Sequence, residues 1–265
     1  MIVTFEKLSP GGNDTIIVRS FVHQTERASL SRTIMNSEYV GGEQVGYLTL
    51  DPAPDIDARL DMMGGELCIN ALRCAATILS EERCKNIIHI ASSGTDQIFE
   101  CNCERRVEAM YSTIRLTLEL RMQRLCQRST LIQLPGISHL LYELSSEERM
   151  TDLIALFTEL RTKNESILSS QPAFGIIPFR RCANDFLIYP VVSVTATNSV
   201  VPETGCGSGS IALALALCGN RREKTYSVRQ PCGTTYSVSL EKTKKGFEVS
   251  LGSPMRRLVS GLAYC

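Results

Sequence analysis

The chain has 265 residues, 43% hydrophobic and 21% charged, a globular balance that excludes extensive disorder. Lysine plus arginine equals aspartate plus glutamate at 28 each, so the basic excess expected of a nucleic-acid or anionic-membrane binder is missing. No apolar run reaches the ~18 residues of a membrane span, and MIVTFEKLSPGG lacks the basic start, apolar core and cleavage site of a secretory leader. We therefore expect a cytoplasmic protein with no nucleic-acid and no membrane partner.

Alternating apolar residues between Gly, Asn, Asp and Pro predict strands at 2–5 and 15–19, then a helix over 26–36 capped by Thr25. A strand at 45–50 precedes a helix over 70–80, which follows Cys68. Strands at 87–91 and 114–120 come next, with Cys101 and Cys103 alternating onto one strand face between them. Residues 121–135 shift to a polar link ending in Pro and Gly. Residues 146–161 read as an amphipathic helix with Ser145 and Glu148 spaced as a capping box. Strands at 176–179 and 185–197 lead to a helix over 210–217, just after Cys206. Strands at 225–228, 235–240 and 247–251 complete the pattern.

This order contains an approximate repeat. Cys68 precedes a small apolar helix, and a strand and a turn at Gly94 follow. Cys206 precedes another, with the corresponding turn at Gly233. A repeat of this length predicts two related domains rather than a solenoid. The break is expected in the 121–135 link: a first lobe over 1–123 with Cys68, and a second over 124–265 with Cys206. That division allows the last residues to return to the first lobe.

Eleven cysteines is a large and odd number, which rules out complete internal pairing, and disulfide frameworks belong to short secreted chains. Zinc is disfavoured, because neither Cys101–Cys103 nor Cys68–Cys74 has C-x-x-C spacing and only three histidines exist. We expect no metal. Most cysteines should be small core residues: Cys74, Cys218 and Cys126 fit apolar helix faces. None of His23, His89 and His139 stands in a setting that marks a catalyst.

Cys68 in GGELCINALRC and Cys206 in ETGCGSGS differ from the rest. Each stands at the mouth of a predicted helix, where unpaired amides and the dipole favour an anion and lower a thiol pKa. Gly205, Gly207 and Gly209 leave room for a ligand near those amides. The cluster lacks the Lys-Ser/Thr of a phosphate loop. Inverting an amino-acid Cα needs a base on one face and an acid on the other, and a thiolate/thiol pair supplies both. Helix-mouth amides directed at the substrate carboxylate would stabilise the carbanion.

ELCINALRC, ETGCGSGS, GGNDTIIV (11–18) and RQPCGTTYSVSL (229–240) together resemble, in order, the motifs of the diaminopimelate epimerase-like superfamily of cofactor-independent racemases and epimerases. EQVGYL (43–48) and the span 190–206 are similar to the histidine-racemase branch of metallophore pathways. The resemblance implies an α+β fold of two pseudo-symmetric domains, each a curved mixed or antiparallel sheet wrapped around a central helix. It also implies an isomerase without cofactors that interconverts L- and D-histidine, with a homodimer allowed. By the same resemblance Cys68 and Cys206 are the acid/base pair. Asn13, Asn70 and the amides of Gly207 and Ser208 hold the substrate, and Glu43 and Glu203 reach its amino group or side chain.

Three departures stand out. Ile69 replaces the glycine after the first cysteine, and Cys232 replaces a glycine of the Gln-Pro-Gly-Gly turn. Ser199 falls where diaminopimelate epimerases carry an arginine, so a distal carboxylate would lack its cation, which argues against diaminopimelate. Structural readings stay open beside these roles. Glu43 is equally a cap for the backbone near Gly41 and Gly42, Asn70 a helix-start residue, and Asn13 a turn residue. Another amino-acid substrate and a non-catalytic small-molecule binder are the alternative functions.

Overall fold

A computed structural model describes residues 1–145, 147–148, 152–171, 173–195, 199–219 and 222–265. The chain divides into two compact units, one formed by residues 1–115 and 252–265, the other by residues 116–251. Its architecture is mixed α+β, mostly sheet with few helices.

The first unit begins with β1 (Ile2–Ser9), β2 (Thr15–Val18), α1 (Gln24–Met35), β3 (Gln44–Ala53) and β4 (Ile56–Met62). It continues through α2 (Ile69–Arg83), β5 (Ile87–Ser92), β6 (Ile98–Arg105) and the first part of β7 (Met110–Leu118), whose last residues pass into the second unit. Pairing runs β1–β2 antiparallel, β2–β3 parallel, β3–β4 antiparallel and β4–β5 parallel. Antiparallel pairs β5–β6 and β6–β7 follow. The end of the chain returns antiparallel to β1, pairing Ile2 with Tyr264. This sheet packs around α2, which touches β2 through β6. Every residue of α2 from Ile69 to Ser80 is buried, so its small and apolar residues are not confined to one stripe, and its polar members Asn70, Arg73, Thr77 and Ser80 are enclosed with them. Leu72, Ile78 and Leu79 are fully enclosed, each contributing about 1.5–3 kcal/mol.

The second unit contains β8 (Arg121–Arg124), β9 (Ser129–Leu134), β10 (Ile137–Glu143), α3 (Leu153–Lys163), α4 (Glu165–Leu168) and β11 (Ala173–Arg181). It ends with β12 (Phe186–Ile188), β13 (Val191–Val194), β14 (Ser199–Pro202), α5 (Gly207–Cys218), β15 (Glu223–Arg229), β16 (Thr235–Thr243) and the start of β17 (Gly246–Tyr264). Here β8–β9 and β9–β10 are antiparallel, β10–β11 parallel and β11–β13 antiparallel. The apolar α5 packs on β9, β10, β15 and β16. On the other side of β11, Phe157 and Leu160 of α3 join Phe174 and Ile176 in a separate core cluster. Among the described residues no helix is long and apolar enough to cross a membrane.

Several local expectations change. The cap of α1 is His23, whose ring accepts the Thr25 amide, not Thr25 itself. The expected 146–161 helix starts only at Leu153 with Asp152 as its cap; residues 146 and 149–151 lie outside the described set. The Ser145 amide does donate to Glu148, half of a capping box, but no described helix begins there. The polar link of 121–135 is the hairpin of β8 and β9. The strand expected over 185–197 is broken at Tyr189–Pro190 into β12 and β13, since proline cannot donate to a ladder; residues 196 and 197 are not described. Cys126 is exposed in the turn of that hairpin, not on a helix face. Cys74, Cys218, Cys101 and Cys103 are buried.

Candidate active site

Cys68 is the N-cap of α2, with extended φ −123° and ψ 106°. Its sulfur takes the place usually held by a serine or aspartate oxygen, accepting the Ala71 amide at 3.4 Å. The thiol donates to Gln44 Oε1 at 2.9 Å. Gln44 Nε2 in turn donates to Thr15 Oγ1 at 2.6 Å, and the Thr15 hydroxyl to the Asn13 carbonyl at 2.9 Å. A one-way chain of hydrogen bonds therefore runs from the thiol to the Gly11–Asn13 loop. That loop has φ of 89°, 93° and 59° at Gly11, Gly12 and Asn13; Asn13 is buried.

Glu43 lies in the bend just before Gln44, the first residue of β3. Its carboxylate accepts the Asp14 amide at 3.3 Å, while its own amide donates to the Asp14 carbonyl at 2.8 Å. This ties Glu43 to the Asn13–Asp14 loop. Asn70 is buried in the first turn of α2, and its Oδ1 accepts from Arg73 Nη1 at 3.3 Å. Arg73 is wholly enclosed, donating also to the carbonyls of Ser112 and Ser253. Glu66, two residues before Cys68, has its pKa raised by burial.

Cys206 repeats this local geometry in the second unit. It is the N-cap of α5 with φ −126° and ψ 107°, and its sulfur accepts the Gly209 amide at 3.3 Å. Gly209 keeps that approach open: a Cβ would lie 3.1 Å from that sulfur and 3.0 Å from Ile177 Cδ1. The Cys206 amide donates to Gln230 Oε1 at 2.8 Å, and Gln230 Nε2 donates to Ser210 Oγ and the Val228 carbonyl. Gln230, buried at the end of β15, thus ties the RQPCG turn to the helix mouth. The Gly233 amide closes that turn on the Gln230 carbonyl at 2.9 Å, the Cys232 amide ties it to the Thr204 carbonyl at 3.1 Å, and Gly233 takes φ 90°.

The Cys206 thiol is pushed well above the ordinary range, first by burial, then by the charge of Glu203 and a hydrogen bond to it. The Gly209 amide and Ser208 hydroxyl pull the other way. The balance leaves Cys206 a protonated acid at neutral pH. Ser208 Oγ stands 3.7 Å from the Cys206 sulfur and 2.9 Å from His139 Nε2. Ser199 opens β14. Among the described residues no group of three His, Cys, Asp or Glu is placed to hold a metal ion.

The structure therefore sets Asn13 on the hydrogen-bond chain of Cys68, Glu43 on the adjoining loop and Asn70 against Arg73. It sets Glu203, Gly207 and Ser208 around Cys206. Sequence reading assigned no role to Gln44, Gln230 or His139, which the structure bonds to Cys68, Cys206 and Ser208 respectively. Gln44 was detectable as the chain neighbour of Glu43, and Gln230 as the leading residue of a motif already noticed. His139 carries no local signal at all.

Comparison with known proteins gives a consistent picture. The sequence pattern of the histidine racemase CntK N-terminal domain family matches residues 2–264. A histidine racemase of Fusobacterium nucleatum is 25% identical over 276 residues, covering 99% of this chain and 97% of its own. One from Staphylococcus aureus is 24% identical, covering 99% and 98%. Solved structures of phenazine biosynthesis PhzF-family proteins share the fold over all of both chains. The one from Bacillus anthracis has a TM-score of 0.72 at 10% identity, and the one from Enterococcus faecalis 0.67 at 13%.

Proposed function

Because the chain belongs to the histidine racemase CntK N-terminal domain family, and is an isomerase of the racemase type, we propose that it inverts an amino-acid Cα with two cysteines and no cofactor. Histidine is the favoured substrate, on the strength of what the Fusobacterium and Staphylococcus relatives are named for. One observation carries the mechanism. Two cysteines in separate units cap their helices with backbone angles that agree within a few degrees, each sulfur accepting the amide three residues on. This match also supports reading the two units as pseudo-symmetric copies.

The α-hydrogen of an amino acid is a very weak acid, so removal needs a base aligned with the C–H bond and a site that holds the carbanion charge. Amides at a helix start supply fixed positive dipoles for the substrate carboxylate, into which that charge spreads. In the second unit these are the amides of Gly207 and Ser208. In one direction Cys68 is the base and Cys206 the acid. The Cys68 thiol first gives up to solvent the proton it directs at Gln44 Oε1. Its thiolate then takes the α-hydrogen as a proton to form S–H, while the C–H electron pair stays on the substrate. The Cys206 S–H bond breaks to form the new C–H bond on the opposite face. In the reverse direction the roles exchange. Burial and Glu203 suit Cys206 to rest as the thiol, while Gln44 holds the Cys68 sulfur in a fixed rotamer. Asn13, Asn70, Glu43 and Glu203 then orient the substrate. With Ser199 standing where the resembling diaminopimelate epimerases carry an arginine, a second carboxylate on the substrate is disfavoured.

The test is α-hydrogen exchange in D2O across the twenty amino acids, followed by proton NMR and optical rotation. Histidine is expected to exchange and racemise, and both Cys68→Ser and Cys206→Ser to abolish racemisation. Either single variant racemising at the wild-type rate would end the two-base assignment. Exchange confined to another amino acid would transfer the reading to that substrate.

A further inference from the structure

His139 is a fully buried imidazole on β10, and nothing in the two-base reaction calls for it. Burial holds its pKa down at about 3, so the ring is neutral and carries one N–H. Its two nitrogens have different surroundings. Nδ1 is buried with no hydrogen-bond partner among the described residues, and it presses on Gly175, the β11 residue paired with it, where a Cβ would come within 2.4 Å. Nε2 is 2.9 Å from Ser208 Oγ. A buried N–H with no acceptor costs more than a buried lone pair, and the bond made by one nitrogen sets the tautomer of the other. The proton therefore sits on Nε2.

The direction of the next link follows. If Nε2–H donates to Ser208 Oγ, the serine hydroxyl is left to donate onward, and the Cys206 sulfur lies 3.7 Å from it. We propose that His139 is a positioning residue: it turns the Ser208 hydroxyl hydrogen toward the Cys206 sulfur and so makes that thiol a stronger acid. This rests on the reading of Cys206 as an acid/base group. No proton leaves His139 or Ser208. When Cys206 gives its proton to the substrate carbanion, the electron pair of the S–H bond remains on sulfur, and the oriented hydroxyl stabilises that thiolate. Glu203 opposes this by raising the cost of the same charge. The acid strength of Cys206 is thus set by two neighbours of opposite sign, one acidic and one a neutral relay ending on a histidine in the core.

The readout is alkylation of Cys206 by iodoacetamide at pH 8, followed on its peptide by mass spectrometry, because the rate tracks the thiolate fraction. His139→Met and Ser208→Ala should each slow it about tenfold, the loss of one hydrogen bond to a charged sulfur, and the double variant should slow it no further. His139→Gln keeps an N–H close to the Nε2 position and should stay within about threefold of wild type. A merely structural role predicts the opposite sign, since loosening the core would expose the sulfur of a residue that is now only 2% exposed and speed alkylation. Ser208→Ala, half-buried in the first turn of α5, decides the matter if His139→Met does not fold. Wild-type or faster alkylation in folded Ser208→Ala, or His139→Gln failing as badly as His139→Met, overturns the relay. Racemisation by Cys206→Ser, measured separately, would instead refute the two-base mechanism and leave the alkylation result to decide the relay.

Discussion

Replacing Gly209 with alanine should separate the stability of α5 from the chemistry at its mouth. Alanine is preferred over glycine in a helix by about 1 kcal/mol, so on propensity alone the variant gains. The added Cβ, however, would stand 3.0 Å from Ile177 Cδ1 and 3.1 Å from the Cys206 sulfur. Comfortable carbon contacts lie at about 3.5–4.0 Å. The end of the Ile177 side chain can swing away by a rotamer change, but the sulfur is held at the helix cap by the amide of residue 209 itself. It must retreat by roughly 0.5 Å. Reacting atoms tolerate little of this: a 1 Å misplacement costs about 10²-fold, so half that distance should cost about tenfold in kcat. Urea unfolding should find stability within about 1 kcal/mol of wild type, while exchange and racemisation in D2O show the tenfold loss in both directions with KM less affected. Unchanged stability together with unchanged turnover would refute the claim that the Cys206 sulfur is held in a catalytically demanding position.

Two further outcomes follow from buried groups. Gln230→Leu removes the acceptor of the Cys206 amide and the donor to the Val228 carbonyl, leaving buried polar atoms at about 1–3 kcal/mol each; Tm should fall by roughly 5–10 °C in calorimetry, and an unchanged Tm would contradict the tie between turn and helix. The buried thiols Cys74, Cys101, Cys103 and Cys206 all have folded pKa values raised above the unfolded ones, burial being the first cause, with Cys74 pushed up to about 12. The native state then holds protons that the unfolded chain releases. The stability these thiols contribute is complete below the ordinary thiol pKa of about 8.5 and is lost as pH climbs toward their folded values, at about 1.4 kcal/mol per pH unit for each. Urea midpoints should drop steeply above pH 9, and Cys74→Ala should flatten the slope by one proton; a flat profile to pH 10.5 would refute it.

Much of the scaffold is written in local sequence, because local sequence controls it. Thr15–Val18 and Ile87–Ser92 are strands by composition and boundary residues. Helix α2 is rich in small and apolar residues, but its burial on all sides also takes in Asn70, Arg73, Thr77 and Ser80. The three-residue relation between each cysteine and the amide its sulfur accepts is a property of any helix start, so the placement of Cys68 and Cys206 at two caps could be read without coordinates. Helix α5 nonetheless begins at Gly207, three residues before the expected Ser210, despite the poor helix propensity of Gly207 and Gly209. The Cys206 cap and the Gln230 brace, 24 residues away, outweigh that cost.

What tertiary structure alone decided is the set of partners that gives each sulfur its character. Gln44 meets Cys68 from 24 residues upstream, and His139 meets Ser208 from 69 residues away. Neither pairing leaves a trace in spacing, because a strand brings a side chain to a helix by register, and register is a property of the sheet as a whole. The same applies to the hairpin of β8 and β9, whose polar residues look like a link until the pairing of Arg121 with Gln133 is seen. Composition and helix physics singled out Cys68 and Cys206 as the candidate acid/base pair. Only the packed sheets determine which neighbours set their acidity, since desolvation and hydrogen-bond direction exist only once distant segments have come together.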